Sequence, residues 1–322
     1  MRNFFDRFLH RHDIQIGLII LILGTFFSIL SPGFLTPGNL LGLLESYSVS
    51  AIMAAGLLVV LISGGIDISF AAIAGVTQFI VATILVNYGG NWFTAFALAG
   101  LFGALLGVVN ALLIHYLRAI SVIITISTMT FYFSMLMFVT QGRSIYNLPD
   151  WFTNNMAFLS IPFPVMVAAV VLLITLLLLS RLTLGRLIYG LGGNPEAAKR
   201  MGCHVGGLRC FAYGYSGFMG AVAGIVQAHR VEEVVPNALM GRELDVLAAV
   251  VLGGASLAGG VGTVSGTILG IVLLAMLQNG LTLIGVSSYS FGAVTGLVIL
   301  VSVSATAYTA KRQQKRSLRH GI

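Results

Sequence analysis

Apolar residues run along this chain in stretches of membrane length, separated by short polar punctuation. A helix needs about 20 apolar residues to cross the hydrocarbon core. By that measure the pattern predicts ten spans, at roughly 14–31, 45–63, 66–87, 92–117, 120–140, 162–180, 209–229, 243–257, 264–285 and 289–309. The eighth is short and glycine-rich, so a broken or re-entrant segment is expected there, and nine spans is the alternative count. The apolar runs are continuous. A transmembrane β-barrel would show alternation instead. The expected fold is therefore all-α, a polytopic membrane helix bundle of about ten transmembrane helices.

One piece of punctuation is itself helical. In "GGNPEAAKRMG", Gly192–Gly202, Asn194 suits an N-cap, Pro195 the first helical position and Glu196 the positive end of the dipole. Ala197 and Ala198 are strong helix formers. Lys199 and Arg200 face the negative end, and Gly202 is the natural residue just past the C-cap. The signals agree on a helix of about two turns. Nucleation makes so short a helix marginal alone in water, so it is expected to pack on something.

Charge orients the bundle. Arg2, Arg7 and Arg11 precede the first span; Lys311, Arg312, Lys315, Arg316 and Arg319 follow the last. Arg181, Arg186, Lys199, Arg200 and Arg209 occupy or flank the 181–209 segment, and Arg118 follows the fourth span. In the ten-span arrangement all of these share one face, and only Arg143, Arg230 and Arg242 fall on the other. The positive-inside rule then places both termini in the cytoplasm. The expected organisation is one membrane-spanning domain over 1–322, with an N-terminal tail 1–13, a cytoplasmic loop 181–208 and a basic C-terminal tail 310–322. Segments 31–40, 141–161 and 230–242 would lie outside. The apolar stretch Ile14–Leu30 is long for a signal peptide and lacks a small-residue cleavage site, so an uncleaved first span is expected.

Composition supports lipid as the solvent. Of the 322 residues 57% are hydrophobic and 8% charged, against about 25% charged in soluble domains. The net charge of +7 does not indicate nucleic acid, because the basic residues border the spans. Cys203 and Cys210 fall in or beside the cytoplasmic segment, where a disulfide is not expected. The histidines show no metal-ligand spacing. No G-x-x-x-x-G-K-[ST] phosphate loop, H-E-x-x-H or G-x-S-x-G motif occurs. A transport component follows as the default, with any uphill energy coming from an ion gradient or another subunit.

Two stretches echo one another. "VVLISGGIDIS", Val59–Ser69, and "AVVLGGASLAGG", Ala249–Gly260, each run apolar into paired glycines, then a polar residue, then a new apolar run. Both turns approach the same side with the same polarity, which predicts a parallel internal repeat. In the first, Asp67 either caps the third span or lies on a substrate or gating path, since a carboxylate inside a membrane bundle is costly without partners. Ser63, Gly64, Gly65 and Ser69 share that turn. Asn110, Gln278 and Asn279 are polar positions within other spans, suited either to interhelical hydrogen bonds or to lining a pathway. Glu243 and Asp245 begin the eighth span as helix-start acids or a docking rim.

These residues carry a resemblance. Glu196-Ala197-Ala198 with Gly202 resembles the EAA…G motif of ABC importer permeases. "SGGIDIS" (Ser63–Ser69), "YGLGGNPEAAKRMG" (Tyr189–Gly202) and "ELDVLAAVVLGGASLAGGVGTVSGTILG" (Glu243–Gly270), continued by "LQNGLTLIGVSSY" (Leu277–Tyr289), resemble the signatures of the ribose/xylose/arabinose/autoinducer-2-type permeases. Departures fall at Phe70-Ala71, at "AISVIITISTM" (Ala119–Met129) and at Ser288-Tyr289-Ser290, which leaves the substrate open.

The resemblance implies an inner-membrane permease subunit of an ATP-driven sugar importer. It implies three partners: an ABC ATP-binding subunit, a periplasmic sugar-binding protein and a second permease subunit, identical or paralogous. No cofactor is implied on this chain; ATP and Mg would bind the partner ATPase. Asn194, Pro195, Glu196, Ala197, Ala198 and Gly202 would form the coupling helix. Arg143, Arg230, Arg242 and Glu243 are candidates for docking the binding protein. An ion-coupled transporter or facilitator of small polar solutes is the alternative, and it should carry a relay of buried ionisable residues; only Asp67 and Glu45 sit at plausible depth.

Overall fold

A computed structural model describes residues 12–154, 157–158, 161–297 and 300. The predicted tails 1–13 and 310–322 and the predicted tenth span lie wholly or largely outside these residues. The described residues are built from helices, with one pair of two-residue strands among them, β1 (Ala157–Phe158) antiparallel to β2 (Ile161–Pro162). The helices are α1 His12–Leu30, α2 Pro37–Ile62, α3 Phe70–Tyr88, α4 Trp92–Leu117, α5 Ser121–Thr140 and the single turn α6 Asp150–Thr153. They continue as α7 Phe163–Ser180, α8 Thr183–Gly193, α9 Pro195–Arg200, α10 Val205–Val231, α11 Arg242–Leu252 and α12 Val264–Leu283. Among the described residues seven helices are long and apolar enough to cross a membrane: α2, α3, α4, α5, α7, α12 and α1 from Asp13. This is a multi-pass membrane protein.

The count differs from ten for local reasons. Helix α10 has 27 residues, about 40 Å of rise, but it is rich in glycine and polar side chains. It sits at the centre of the bundle, buried almost throughout from Ala212 to His229, and so presents little apolar surface to lipid. The predicted eighth span is only the 11-residue α11, closed at Gly253. A further helical stretch begins at 291–297.

Some boundaries moved as well. Helix α2 starts at Pro37, eight residues before the predicted 45, because Thr36 accepts the Asn39 N–H and Pro37 sets the first turn. Helix α3 starts at Phe70, so Asp67 precedes it. The 181–208 loop holds a second, longer helix, α8, which the apolar ruler could not find because its apolar residues occupy one face only.

Close approach holds the centre together. Gly103 and Gly107 of α4 lie against Gly217 and the Tyr213–Gly214 backbone of α10, where a Cβ would collide with main chain. A four-residue spacing of small residues lets two helices reach that distance. Gly220 of α10 similarly faces the Phe70 carbonyl, and Gly56 of α2 faces Ser216 and Met219. Helix α10 thus packs on α4, α2 and α3 together.

Candidate functional site

Parts of the three signature stretches, Ser63–Gly65, Tyr189–Gly202 and Gly253–Gly262, scattered over some 200 residues of sequence, meet at one end of the bundle. Helix α2 closes with Gly65 N–H on Val60 O and Gly64 N–H on Leu61 O, Gly64 being left-handed at φ 84°. Helix α11 closes the same way, Ala255 N–H on Val250 O and Gly254 N–H on Val251 O, with Gly254 at φ 90°. The first glycine of one pair therefore matches the second of the other. The loop after α11 then crosses to α2, where Gly260 N–H donates to Ile62 O at 2.9 Å. Gly192, at the end of α8, fits between them: a Cβ there would strike Ile62 O and the Gly260 nitrogen. Tyr189 anchors the same loop by donating to Gly262 O at 2.6 Å. Burial pushes the Tyr189 phenol above its usual range, so it stays protonated as that donor.

Helix α9 continues directly from this junction. Asn194 is its N-cap, accepting Ala197 N–H at 3.0 Å, and Pro195 opens the helix. Cys203 N–H on Ala198 O and Gly202 N–H on Lys199 O close it, with Gly202 at φ 82°. The two alanines do not form one outward face. Ala198 is buried against the protein's own bundle, while Asn194, Pro195, Glu196, Lys199 and Arg200 are exposed. Met201, 73% exposed, adds an apolar knob beside them that the motif reading missed. Its signal was an apolar residue at a C-cap position otherwise flanked by charge and glycine.

Asp67 is completely buried. Its Oδ1 accepts the Ser69 N–H at 2.9 Å and the Ser69 hydroxyl at 2.6 Å; its Oδ2 accepts the Ser216 hydroxyl at 2.8 Å. Asn110 of α4 donates to Ser69 Oγ at 2.6 Å, and Tyr132 of α5 reaches Asn110 Oδ1 at 3.4 Å. One carboxylate thus joins the turn before α3 to α10, and through Ser69 to α4 and α5. The helix N-cap itself is Ser69, without a side-chain cap bond. Asp67 is an Asx-turn acceptor two residues earlier. Ser216 and Tyr132 are members of this network that no sequence motif marked.

The remaining candidates sit at the opposite end. Gln278 accepts the Tyr47 hydroxyl at 2.5 Å, and Asn279 and Asn39 exchange amide hydrogen bonds at 2.9 and 3.0 Å. These side chains line a cleft of about 390 Å³ between α2 and α12. Arg230 is half-buried and donates to Ser46 Oγ at 3.2 Å. Glu243 accepts the Gly241 N–H at 3.2 Å at the start of α11, the helix-start role, beside Arg242. Arg143 is exposed just before Ile145, which pairs with Val234 and so draws the α5–α6 connection towards the Arg230–Arg242 segment.

Comparison with known proteins bears on what this geometry serves. Residues 39–303 match the family model described as branched-chain amino acid transport system / permease component. The chain is 37% identical over 309 residues to the ribose import permease protein RbsC of Escherichia coli K12, covering 94% of this chain and 95% of the relative. It is 36% identical to RbsC of Bacillus subtilis over 306 residues, covering 94% of each. It is 32% identical over 318 residues to the L-arabinose transport system permease protein AraH of Escherichia coli K12, covering 94% of this chain and 93% of the relative. No solved structure matches the chain.

Proposed function

Because the chain belongs to the branched-chain amino acid transport system / permease component family, we propose that it is the membrane-spanning subunit of an ATP-driven importer of a monosaccharide or sugar-like solute. Relatives named as ribose and arabinose permeases, matched along nearly their whole length, support sugars as the substrate class. They also weigh against the ion-coupled alternative. ATP and Mg belong to a separate ABC ATP-binding subunit. A periplasmic sugar-binding protein delivers the solute, and a second permease subunit, identical or paralogous, completes the pathway.

The observation that carries the coupling mechanism is the continuity from α9 to the glycine junction. Helix α9 presents Glu196, Lys199, Arg200 and Met201 outward, while its N-cap follows directly on Gly192 and Gly193. Gly192 touches the turn that leads to Asp67 and the loop that leads to α12. A push on α9 from the ATPase is therefore delivered to α2, α3 and α12 through backbone contacts that cannot compress. The end bearing α8 and α9 faces the cytoplasm of the inner membrane, as the basic residues Arg118, Arg181, Arg186 and Arg209 argue. Gln278, Asn279 and the 390 Å³ cleft then open outward, and Arg143, Arg230, Arg242 and Glu243 lie on the side met by the binding protein.

The matched closures at Gly64 and Gly254 support a parallel repeat, in which α2–α3 and α11–α12 are equivalent halves. Closures at Gly202 and Gly285 have the same pattern, so the contact between the two loops carries more weight than the turn itself. In this arrangement α10 is a buried span and α11 with its loop a broken one, which accounts for nine of the ten expected segments.

Glu196→Lys and Gly202→Asp test the coupling role. Both should abolish uptake and release the ATPase subunit in mild detergent while leaving membrane insertion normal. Intact uptake in either variant would remove α9 from the mechanism.

A further inference from the structure

A polar cleft of about 780 Å³ opens beside α9 at the same end of the bundle. It lies between the C-terminus of α4 with the α4–α5 turn, the start of α10, and the α2–α3 turn. Three of its lining side chains are basic, Arg118, Lys199 and Arg209, with His115 beside them. One, Glu196, is acidic. Among the described residues none of these arginine, lysine or glutamate side chains is held in an ion pair. Ser63, Ser121 and Tyr213 also line it, with Gly64 and Gly65; their hydroxyls are engaged with the Val60 carbonyl, the Ile66 N–H and the Ile66 carbonyl respectively.

Arg118, Lys199 and Arg209 outnumber Glu196 around this one cavity, a charge balance that fits an anion. Arginine forks match phosphate geometry in particular. The volume lies within the roughly 300–1,000 Å³ of small-molecule sites. We propose that this cleft binds a phosphate group, carried either by a small soluble phosphate ester or by an anionic phospholipid headgroup.

Its position gives the site a consequence. The Arg118 side precedes α5, whose Ser121 Oγ accepts the Ile66 N–H at 3.0 Å. Thr125 and Tyr213 donate to Ile66 O at 3.3 and 3.4 Å. A ligand spanning the cleft would tie α9 to the turn that carries Asp67. It would thereby restrain the element assigned above to coupling; this regulatory consequence rests on that assignment, whereas binding itself does not.

The test uses the purified full-length permease without its ATPase, so the result is independent of transport. Ribose 5-phosphate is titrated calorimetrically against protein in phosphatidylcholine nanodiscs and in phosphatidylglycerol nanodiscs. Saturable binding is expected in phosphatidylcholine, weakened roughly tenfold or more by Arg118→Ala or Arg209→Ala and unchanged by Arg186→Ala, which lies outside the cleft. Equal binding in both lipids assigns the site to a soluble phosphate. Binding lost in phosphatidylglycerol, with that lipid retained by the wild type but not by Arg118→Ala on delipidation, assigns it to the headgroup. Absence of both soluble binding and selective lipid retention overturns the proposal. So does binding indifferent to Arg118→Ala and Arg209→Ala. In a separate co-purification of the same variants with the ATPase subunit, loss of that subunit while phosphate binding is unaffected would mean that the cleft receives an acidic surface of the subunit, and the proposal also falls.

Discussion

Gly260 donates its N–H to the carbonyl of Ile62 at 2.9 Å, joining the loop after α11 to the last turn of α2. The two residues are almost 200 positions apart; Ile62 lies two residues before the Gly64-Gly65 pair and Gly260 ends the Gly259-Gly260 pair, each within one half of the sequence echo. Gly192 fills the remaining space, so three chain segments share one backbone-to-backbone contact.

That contact predicts a sharp difference between neighbours. Gly192→Ala places a Cβ against Ile62 O, where only main chain can yield. Overpacking of this kind costs about 1–3 kcal/mol, and the rigid partners put it at the upper end. Gly193→Ala has open space around it and should be close to neutral. Thermal unfolding in detergent, read by fluorescence-detected gel filtration, checks both; equal melting temperatures would show that the junction is not tight.

Asp67 should behave as a structural hub. Asp67→Ala strands the Ser69 N–H and the Ser69 and Ser216 hydroxyls at a buried position. The expected loss is on the order of 3 kcal/mol, visible as reduced folded yield. Asp67→Asn keeps one acceptor oxygen, and the Ser216 hydroxyl can turn to accept from the new amide, so stability should fall by much less. Measured side by side with uptake, a variant that is stable but inactive would move Asp67 from scaffolding to the transport path.

The N-cap of α9 is worth separating from its surface. Asn194→Ala removes the bond to Ala197 N–H, a loss of about 1 kcal/mol concentrated in a helix of six residues. The expected phenotype is a higher ratio of ATP hydrolysed to sugar delivered in proteoliposomes. An unchanged ratio would mean that packing of Ala198 alone holds the helix.

Met201 gives the converse. Because its side chain is exposed, Met201→Glu should leave the melting temperature of the isolated permease unchanged. It should also weaken co-purification of the ATPase subunit several-fold. Retained association would exclude Met201 from the docking face.

How much was legible beforehand differs between elements. Helix α9 was readable to within a residue, because Asn194, Pro195 and Gly202 act on their own neighbours and capping needs no tertiary partner. Spans facing lipid were readable for the same reason: α4 and α7 are apolar around much of their circumference. Helix α10 was found with shorter ends, although its glycines and serines lower its hydropathy. The amphipathic α8 and the true start of α2 were not, since one depends on a face and the other on a cap hidden in an assumed loop.

The sequence by itself determined that lipid is the solvent, where the helices punctuate, and that 194–202 forms a short capped helix. These follow from transfer free energy and from hydrogen bonds between near neighbours. Only the tertiary structure decided that Gly64, Gly192 and Gly260 meet, that Ala198 turns inward while Met201 turns out, and that Ser216 completes the shell of Asp67. Such contacts join residues far apart in the chain. They depend on which helices and loops the fold brings together, and a local pattern can permit a close approach without choosing its partner.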